Sequence, residues 1–517
     1  MNRACFTLLL AGLVSAPVWA QVRLQLLGTY STGIYNAGGT EISAYDPQTK
    51  RVFSTNAKNS VLDVLDLRDP AAPTLMFSIS LSRYGSTPNS VAARDGIVAV
   101  SLDAAVKTDP GAVVFFDANG QFLKSVTVGA VPDMVVFTPD GKRLLVANEA
   151  EPNDACDVNP EGSVSIIDLS GGIQAVTQDR VKTADFKAFT RANIDPRIRI
   201  YGPNATVAQD LEPEYIAVSP DSKTAWVTLQ ENNALGILDI ETATFTKLVA
   251  LGFKDHMLPG NAIDASDRDG AINIANWPVL GMYQPDSIAS FQAGGKIYLA
   301  TANEGDSREW RGCNEETRVG SVKLDPAAFP EETFLKFQAN LGRLRTTKAS
   351  GDSNGDGLNE RIYTYGARSF SIWDDQGRLV FDSGDDFERI TAAAHPDSFN
   401  STHTSNISFD TRSDDKGPEP EALTVGEVDN RWYAFIGMER IGGIFVYDIT
   451  NPAAVRLVQY VNHRNFYLST KSGEARDLGP EGFVFVRAAD SPNGRPLLVV
   501  SNEISGTVSV YQVVAAR

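Results

Sequence analysis

Between Gly417 and Asp448 the chain reads GPEPEALTVGEVDNRWYAFIGMERIGGIFVYD, three short β-strand signals in a row. Glu421 opens an apolar run, Ala422 to Val425, bounded by a glycine and an Asp-Asn turn; a second run, Trp432 to Ile436, leads back to Met438-Glu439. In a hairpin the start of one strand and the end of the next share a sheet edge, so Glu421 and Glu439 are expected on one surface. A strand triplet of this kind constrains the fold most strongly if it recurs, because repeats of one β-unit admit few architectures.

It does recur. Glu41-Ile42-Ser43 leads to Val52-Phe53-Ser54-Thr55-Asn56, Pro88-Asn89-Ser90 to Ile97 through Val100 and Asp103, and Pro132-Asp133-Met134 to Leu144 through Asn148-Glu149. Pro213-Glu214-Tyr215 returns to Leu229-Gln230-Glu231, Pro285-Asp286-Ser287 to Asn303-Glu304, and Pro480-Glu481-Gly482 to Asn502-Glu503. After most second strands comes a third that ends at an aspartate, such as Asp117, Asp168, Asp239, Asp374 or Asp448, and then an outer strand. Four-stranded units repeated radially predict an all-β chain, a seven-bladed β-propeller. The last unit has three strands, to about Val513, and Val22 to Tyr30 supplies an unpaired one, so the N-terminal strand is expected to complete the C-terminal blade and close the ring.

Turns between first and second strands are short, as at Thr138-Pro139-Asp140-Gly141 and Ser219-Pro220-Asp221-Ser222. The opposite edge carries the insertions, Ser170 to Leu211, Gly252 to Gln284, Gly305 to Tyr365 and Ser383 to Pro420, and insertions gathered on one face mark a binding face. At 517 residues length alone would admit several domains, yet closed all-β architectures run long as one, and residues 21–517 read as a single propeller. Residues 1–20, with Arg3, the apolar stretch Cys5 to Val14 and Val18-Trp19-Ala20, read as a secretory signal cleaved near Ala20. No later run is long enough to span a membrane, so a periplasmic or secreted monomer is expected. In that compartment Cys156 and Cys313 can pair, and the sequence leaves open whether they do or remain two buried thiols.

A net charge of −18 opposes binding to nucleic acid or an anionic membrane surface. On the propeller, Glu41, Asn89, Asp133, Glu214, Asp286, Glu421 and Glu481 begin innermost strands and form a ring around the central channel. A second ring, Asn56, Asp103, Glu149, Glu231, Glu304, Glu439 and Glu503, stands at the ends of second strands. One such acid is explained by hydrogen bonds to backbone N–H groups at a strand start; two stacked rings in a partly desolvated mouth call for bound cations. Hard oxygen ligands without histidine or thiolate suit calcium, or magnesium and manganese. Asp352, Asn354 and Asp356, followed by Glu360, match the start of a calcium loop, although Tyr363 holds the position of its closing acid; the alternative is a solvated glycine-rich turn.

The chain lacks an H-E-x-x-H motif, and its one G-x-S-x-G match, Gly351 to Gly355, falls inside that glycine-rich loop rather than at a strand-to-helix elbow. His256, His395 and His403 fall in insertions, and His256 is the histidine considered for catalysis. Lys254, Arg308, Arg368, Lys416 and Arg440 are the cations placed to hold an anion.

The stretches LEPEYIAVSPDSKTAWVTLQENNALGILDI, GFKDHMLPGNAIDASDRDG, TANEGDSREW, YGARSFSIWD, RSDDKGPEPEALTVG and MERIGGIFVYDIT resemble the choice-of-anchor I family over nearly all of the mature chain. That resemblance implies an exported bacterial propeller, in some members described as alkaline phosphatase-like. The doubled acid ring is similar to that of calcium-dependent propeller phytases. By that likeness calcium held by Glu214, Asp286, Glu421 and Glu481 would bind phosphoryl oxygens and activate a water, with further ions at Glu149, Glu304 or Glu439 and with Lys416, Arg308 or Arg440 steadying the leaving charge. The expected function is metal-dependent hydrolysis of a small-molecule phosphoester or another anionic substrate held through cations. The alternatives are a non-catalytic binding propeller and a calcium-dependent lactonase or esterase.

Overall fold

The structure, a computed structural model, describes residues 22–515; the expected signal at 1–20 lies outside the described residues. Among the described residues there are seven four-stranded antiparallel sheets, one for each repeat. Their first strands are Ser43–Asp46, Pro88–Arg94, Pro132–Phe137, Pro213–Val218, Ile288–Ala293, Pro420–Val428 and Pro480–Val486. Val22–Ser31 pairs antiparallel with Thr507–Ala515, from Val22 opposite Ala515 to Ser31 opposite Thr507, and so completes the seventh sheet. The first and last described strands are thereby joined by hydrogen bonds, which leaves that sheet no missing strand.

The second strands are buried on both faces, as their continuous apolar runs require; Arg143–Asn148 and Leu497–Asn502 hold five and six buried residues. Both faces are covered because each sheet packs on the next. One apolar cluster joins the first and second sheets through Phe53 and Val98, another the fourth and fifth through Trp226 and Trp373, and another the sixth and seventh through Phe435 and Leu498. A further cluster sets Val52 and Leu65 of the first sheet against Val499 and Val510 of the seventh. This succession of face-packed sheets is a β-propeller.

The short turns have a local cause. At Thr138-Pro139-Asp140-Gly141 the Asp140 carboxylate accepts from Thr138 Oγ1 at 2.7 Å and from Lys142 N at 3.0 Å, and Gly141 takes the left-handed φ of +71°. Ser219-Pro220-Asp221-Ser222 repeats the turn, and its Ser222 Oγ accepts from Asp140 N at 3.0 Å, which links two neighbouring sheets.

The insertions build structure of their own. Phe253–Asp255, Leu280–Met282 and Tyr363–Thr364 form a three-stranded sheet, and Glu316–Arg318 pairs with Arg345–Thr347. A separate apolar cluster with Ile263, Trp277, Leu341 and Ile362 sits among them. Cys156 and Cys313 form a disulfide with Cα atoms 6.0 Å apart, tying the loop that follows Glu149 to the loop that follows Glu304. No described helix is long and apolar enough to cross a membrane.

Candidate functional site

Each first-ring residue stands at the start of an innermost strand, and in five sheets the pairing is irregular at that point. Register shifts follow Pro88, Pro132, Pro213, Pro420 and Pro480, the residues immediately before Asn89, Asp133, Glu214, Glu421 and Glu481. Proline lacks the N–H that a regular ladder would use, and the bulge that follows re-aims the next side chain out of the sheet. All seven residues, Glu41 and Asp286 included, line one cavity of about 450 Å³.

The second ring meets the first in two groups. One carboxylate oxygen from each of Glu149, Glu214 and Glu231 lies within 4.8 Å of the others, and the same holds for Glu304, Glu421 and Glu439. Each group thus combines a first-ring acid, the second-ring acid of its own sheet and that of the preceding sheet. Gln230, whose Nε2 donates to Glu304 Oε2 at 3.0 Å, ties the neighbourhoods together. Asp103 is occupied by Asn89 Nδ2 at 2.9 Å and Asn56 donates to Asp63 at 2.9 Å, so these two are internally satisfied. Glu503 remains close enough to Glu41 to raise it.

Crowding this many acids out of bulk water disfavours their charged forms. Burial, with Glu503 and Asp133 nearby, pushes Glu41 up to about 7. Burial and Asp103 push Asp133 up to about 7 as well. Burial first, then neighbouring carboxylates, raises Glu214, Asp286, Glu421 and Glu481 well above the ordinary range. The buried Oε2 atoms of Glu214, Glu231 and Glu421 receive no hydrogen bond. A buried carboxylate oxygen without a donor is costly, and a hard cation satisfies it. The donor set, all oxygen, fits calcium, magnesium or manganese at either group.

Lys416 and Arg440 line the same cavity. Lys416 Nζ lies 2.7 Å from Glu304 Oε1, 2.6 Å from the Gly305 carbonyl and 3.2 Å from Glu419 Oε2. Arg440 pairs with Glu419 at 2.9 Å and Glu439 at 2.8 Å, and His403 Nδ1 is 3.0 Å from Glu439 Oε1. Glu419, which sequence reasoning missed, is the hub. Burial alone would raise it, but Lys416, Arg440 and Arg412 together hold it well below the usual carboxylate range. Its signal was the sequence Pro418-Glu419-Pro420 two residues before Glu421, and its left-handed φ of +53° marks a held backbone. Asp306, also missed, lines the cavity two residues after Glu304, and burial pushes it up to about 8 against the pull of Lys416.

Other expected site residues stand elsewhere. Arg308 does not line the cavity: it is buried, with Nη1 2.8 Å from Asp210 and Nη2 2.9 Å from Glu212 of another loop, and from there its charge pulls Glu231 down against burial. His256 is wholly buried, its Nδ1 2.7 Å from the Asn261 carbonyl, and burial and Lys254 lower it to about 3, which removes it from proton transfer near neutrality. Lys254 is tied to Asp382 at 2.9 Å and Arg368 to Glu388 at 2.5 Å, both buried. In the calcium-like loop the acids Asp356 and Glu360 come together, joined by Asp325 from outside it. Asp352 instead accepts from the Gly355 and Gly357 N–H groups at 2.6 and 2.8 Å, and Asn354 donates to Glu360 at 2.8 Å, the bonding of a closed turn.

The family model of the choice-of-anchor I domain matches residues 41–452. Gigasin-3a of Magallana gigas is 33% identical over 190 residues, covering 35% of this chain and 66% of that protein. The mesenchyme-specific cell surface glycoprotein of Strongylocentrotus purpuratus is 27% identical over 285 residues, 48% of this chain and 36% of its own length. The chain therefore spans less than two thirds of either relative. Among solved structures, the Cps50 (Swd1) β-propeller domain of Myceliophteria thermophila has a TM-score of 0.46 at 8% identity, covering 95% of this chain and all of that one.

Proposed function

This chain belongs to the choice-of-anchor I domain family, and from that premise we propose that its acidic mouth binds hard divalent cations, calcium foremost, and acts on phosphoesters outside the cytoplasm. The observation that carries this reading is the pair of three-carboxylate groups, Glu149–Glu214–Glu231 and Glu304–Glu421–Glu439, with the orphaned Oε2 atoms of Glu214, Glu231 and Glu421. When bound, the cations supply Lewis acidity toward a phosphoryl oxygen and a water. Glu214 and Glu421 anchor them at the strand starts, and the strands beneath fix their spacing. Lys416 and Arg440, steadied by Glu419, border the space an anionic substrate would enter. Calcium titration followed calorimetrically, together with phosphate release from p-nitrophenyl phosphate, tests both halves. We expect saturable binding, turnover that a chelator abolishes, and a loss of calcium affinity of about tenfold or more in Glu421→Gln. The absence of calcium binding sinks the reading.

A specific observation favours a second reading, a binding propeller stiffened by cations. Lys416 and Arg440 already have carboxylate partners in Glu304, Glu419 and Glu439, which leaves little positive charge to greet a phosphate, and one relative is named a cell surface glycoprotein. Calcium binding without turnover on phosphate, carboxylic or lactone esters selects it.

A further inference from the structure

Away from the mouth, a second cavity of about 480 Å³ lies between the arch Arg191 to Tyr201 and the small sheet of the insertions. One side is apolar: the rings of Phe253 and Tyr363 stand 4.8 Å apart, and Met282 packs behind them. Its charge is positive, in a chain whose net charge is −18. Arg191 and Arg361 are exposed at it, and among the described residues neither forms an ion pair within 4.0 Å. Arg191 Nη1 donates only to the Ile200 carbonyl, at 2.6 Å. Arg199, also lining the cavity, is 7% exposed; it pairs with Glu315 and donates to the Glu231 carbonyl at 2.7 Å, but its buried Nε has no acceptor. Arg197 differs, being neutralised by Asp195 at 2.6 Å.

We propose that this cavity is a binding site for a small organic anion, a carboxylate, sulfonate or phosphate carried on an apolar, preferably aromatic, body. Guanidinium groups without a carboxylate partner match such an anion head in a bidentate manner, and in an acidic protein they concentrate it where the rest of the surface repels it. The Phe253 and Tyr363 side, backed by buried Met282, takes the body, and the volume falls in the range of small-molecule sites. A hydrated inorganic ion would leave that side unused. The inference does not pass through the acidic mouth and stands or falls apart from it.

The test uses 8-anilinonaphthalene-1-sulfonate, an anionic aromatic fluorophore, beside its uncharged counterpart N-phenyl-1-naphthylamine, on the full chain. We expect saturable binding of the sulfonate at one site. The double variant Arg191→Ala/Arg361→Ala should weaken it by about tenfold or more while leaving the neutral dye unchanged. Arg361→Lys should weaken it less than Arg361→Ala, and Tyr363→Ala should weaken both dyes. Glu421→Gln should change neither. Both arginines are exposed, so the double variant keeps its fold, which circular dichroism verifies. Absence of saturable sulfonate binding, or binding insensitive to the double substitution, overturns the proposal.

Discussion

Glu419 shows how a single residue can organise a site without standing out in the sequence. It is fully buried, and three cations, Lys416, Arg412 and Arg440, converge on its carboxylate. Removing one partner from a buried charge network leaves the rest uncompensated, so Glu419→Gln should cost about 3–5 kcal/mol in urea unfolding at pH 7. The sign of its pH dependence follows from a folded-state value held well below the ordinary one. Its contribution is present above the unfolded value of about 4.3 and is lost as pH falls through the lower folded value. The gap between Glu419→Gln and the parent chain should therefore narrow below about pH 4; a gap independent of pH would show that the carboxylate's charge is not what matters. Sequence reasoning found Glu421 and passed over Glu419 because only the former fits the repeat. A residue that serves one insertion has no counterpart in other repeats to point to it, and the same holds for Asp306. Arg308 and His256 were read from loops on the insertion-bearing edge, but both are buried: Arg308 is held by Asp210 and Glu212 of another loop, and His256 by the Asn261 carbonyl of its own.

At the scale of the strand, the recurring residue pairs do two jobs. Proline before the first-ring acid breaks the ladder and turns that side chain to the cavity, while asparagine before the second-ring acid locks the end of the second strand. Asn303 Nδ2 donates to Ser369 and Ser371 Oγ at 3.2 and 2.8 Å, and its Oδ1 accepts from Thr301 Oγ1 at 2.9 Å. Asn148 does the same with Ser163 and Ser165 at 3.1 and 3.0 Å. These buried amides hold Glu149 and Glu304 at fixed positions. Asn303→Ala should lower unfolding stability by about 1–3 kcal/mol, because it removes three buried hydrogen bonds, and should weaken calcium binding in parallel. A stability loss with unchanged calcium affinity would separate strand locking from site geometry. The Asn-Glu and Pro-acid pairs were legible as punctuation, because hairpin geometry repeats. The small sheet of Phe253–Asp255, Leu280–Met282 and Tyr363–Thr364 was not: its strands are two or three residues long and one pairing is parallel, too short for any alternation to register.

The whole molecule sets the electrostatic cost of the mouth. A chain of net charge −18 gathers Glu41, Asp133 and Asp306 in one cavity, where burial and mutual repulsion push them up to about 7, 7 and 8. Their unfolded values are about 4, so between roughly pH 4 and pH 8 the folded chain binds more protons than the unfolded one. Stability then falls as pH rises through that window and levels off above it. A cation that binds the folded mouth competes with those protons, and a ligand at a hundredfold its dissociation constant adds about 2.7 kcal/mol. In chelator, the melting temperature should decline from pH 5 to pH 8. Saturating calcium should recover a few degrees at pH 8 and much less at pH 5, read by circular dichroism at both values. Calcium stabilisation equal at the two pH values would place the ion away from the raised carboxylates, and no stabilisation at pH 8 would leave their repulsion unrelieved by cations. The ring that makes this comparison possible was the part of the site most legible in sequence, since each sheet contributes at the same register and the cavity is the sum of those repeated positions.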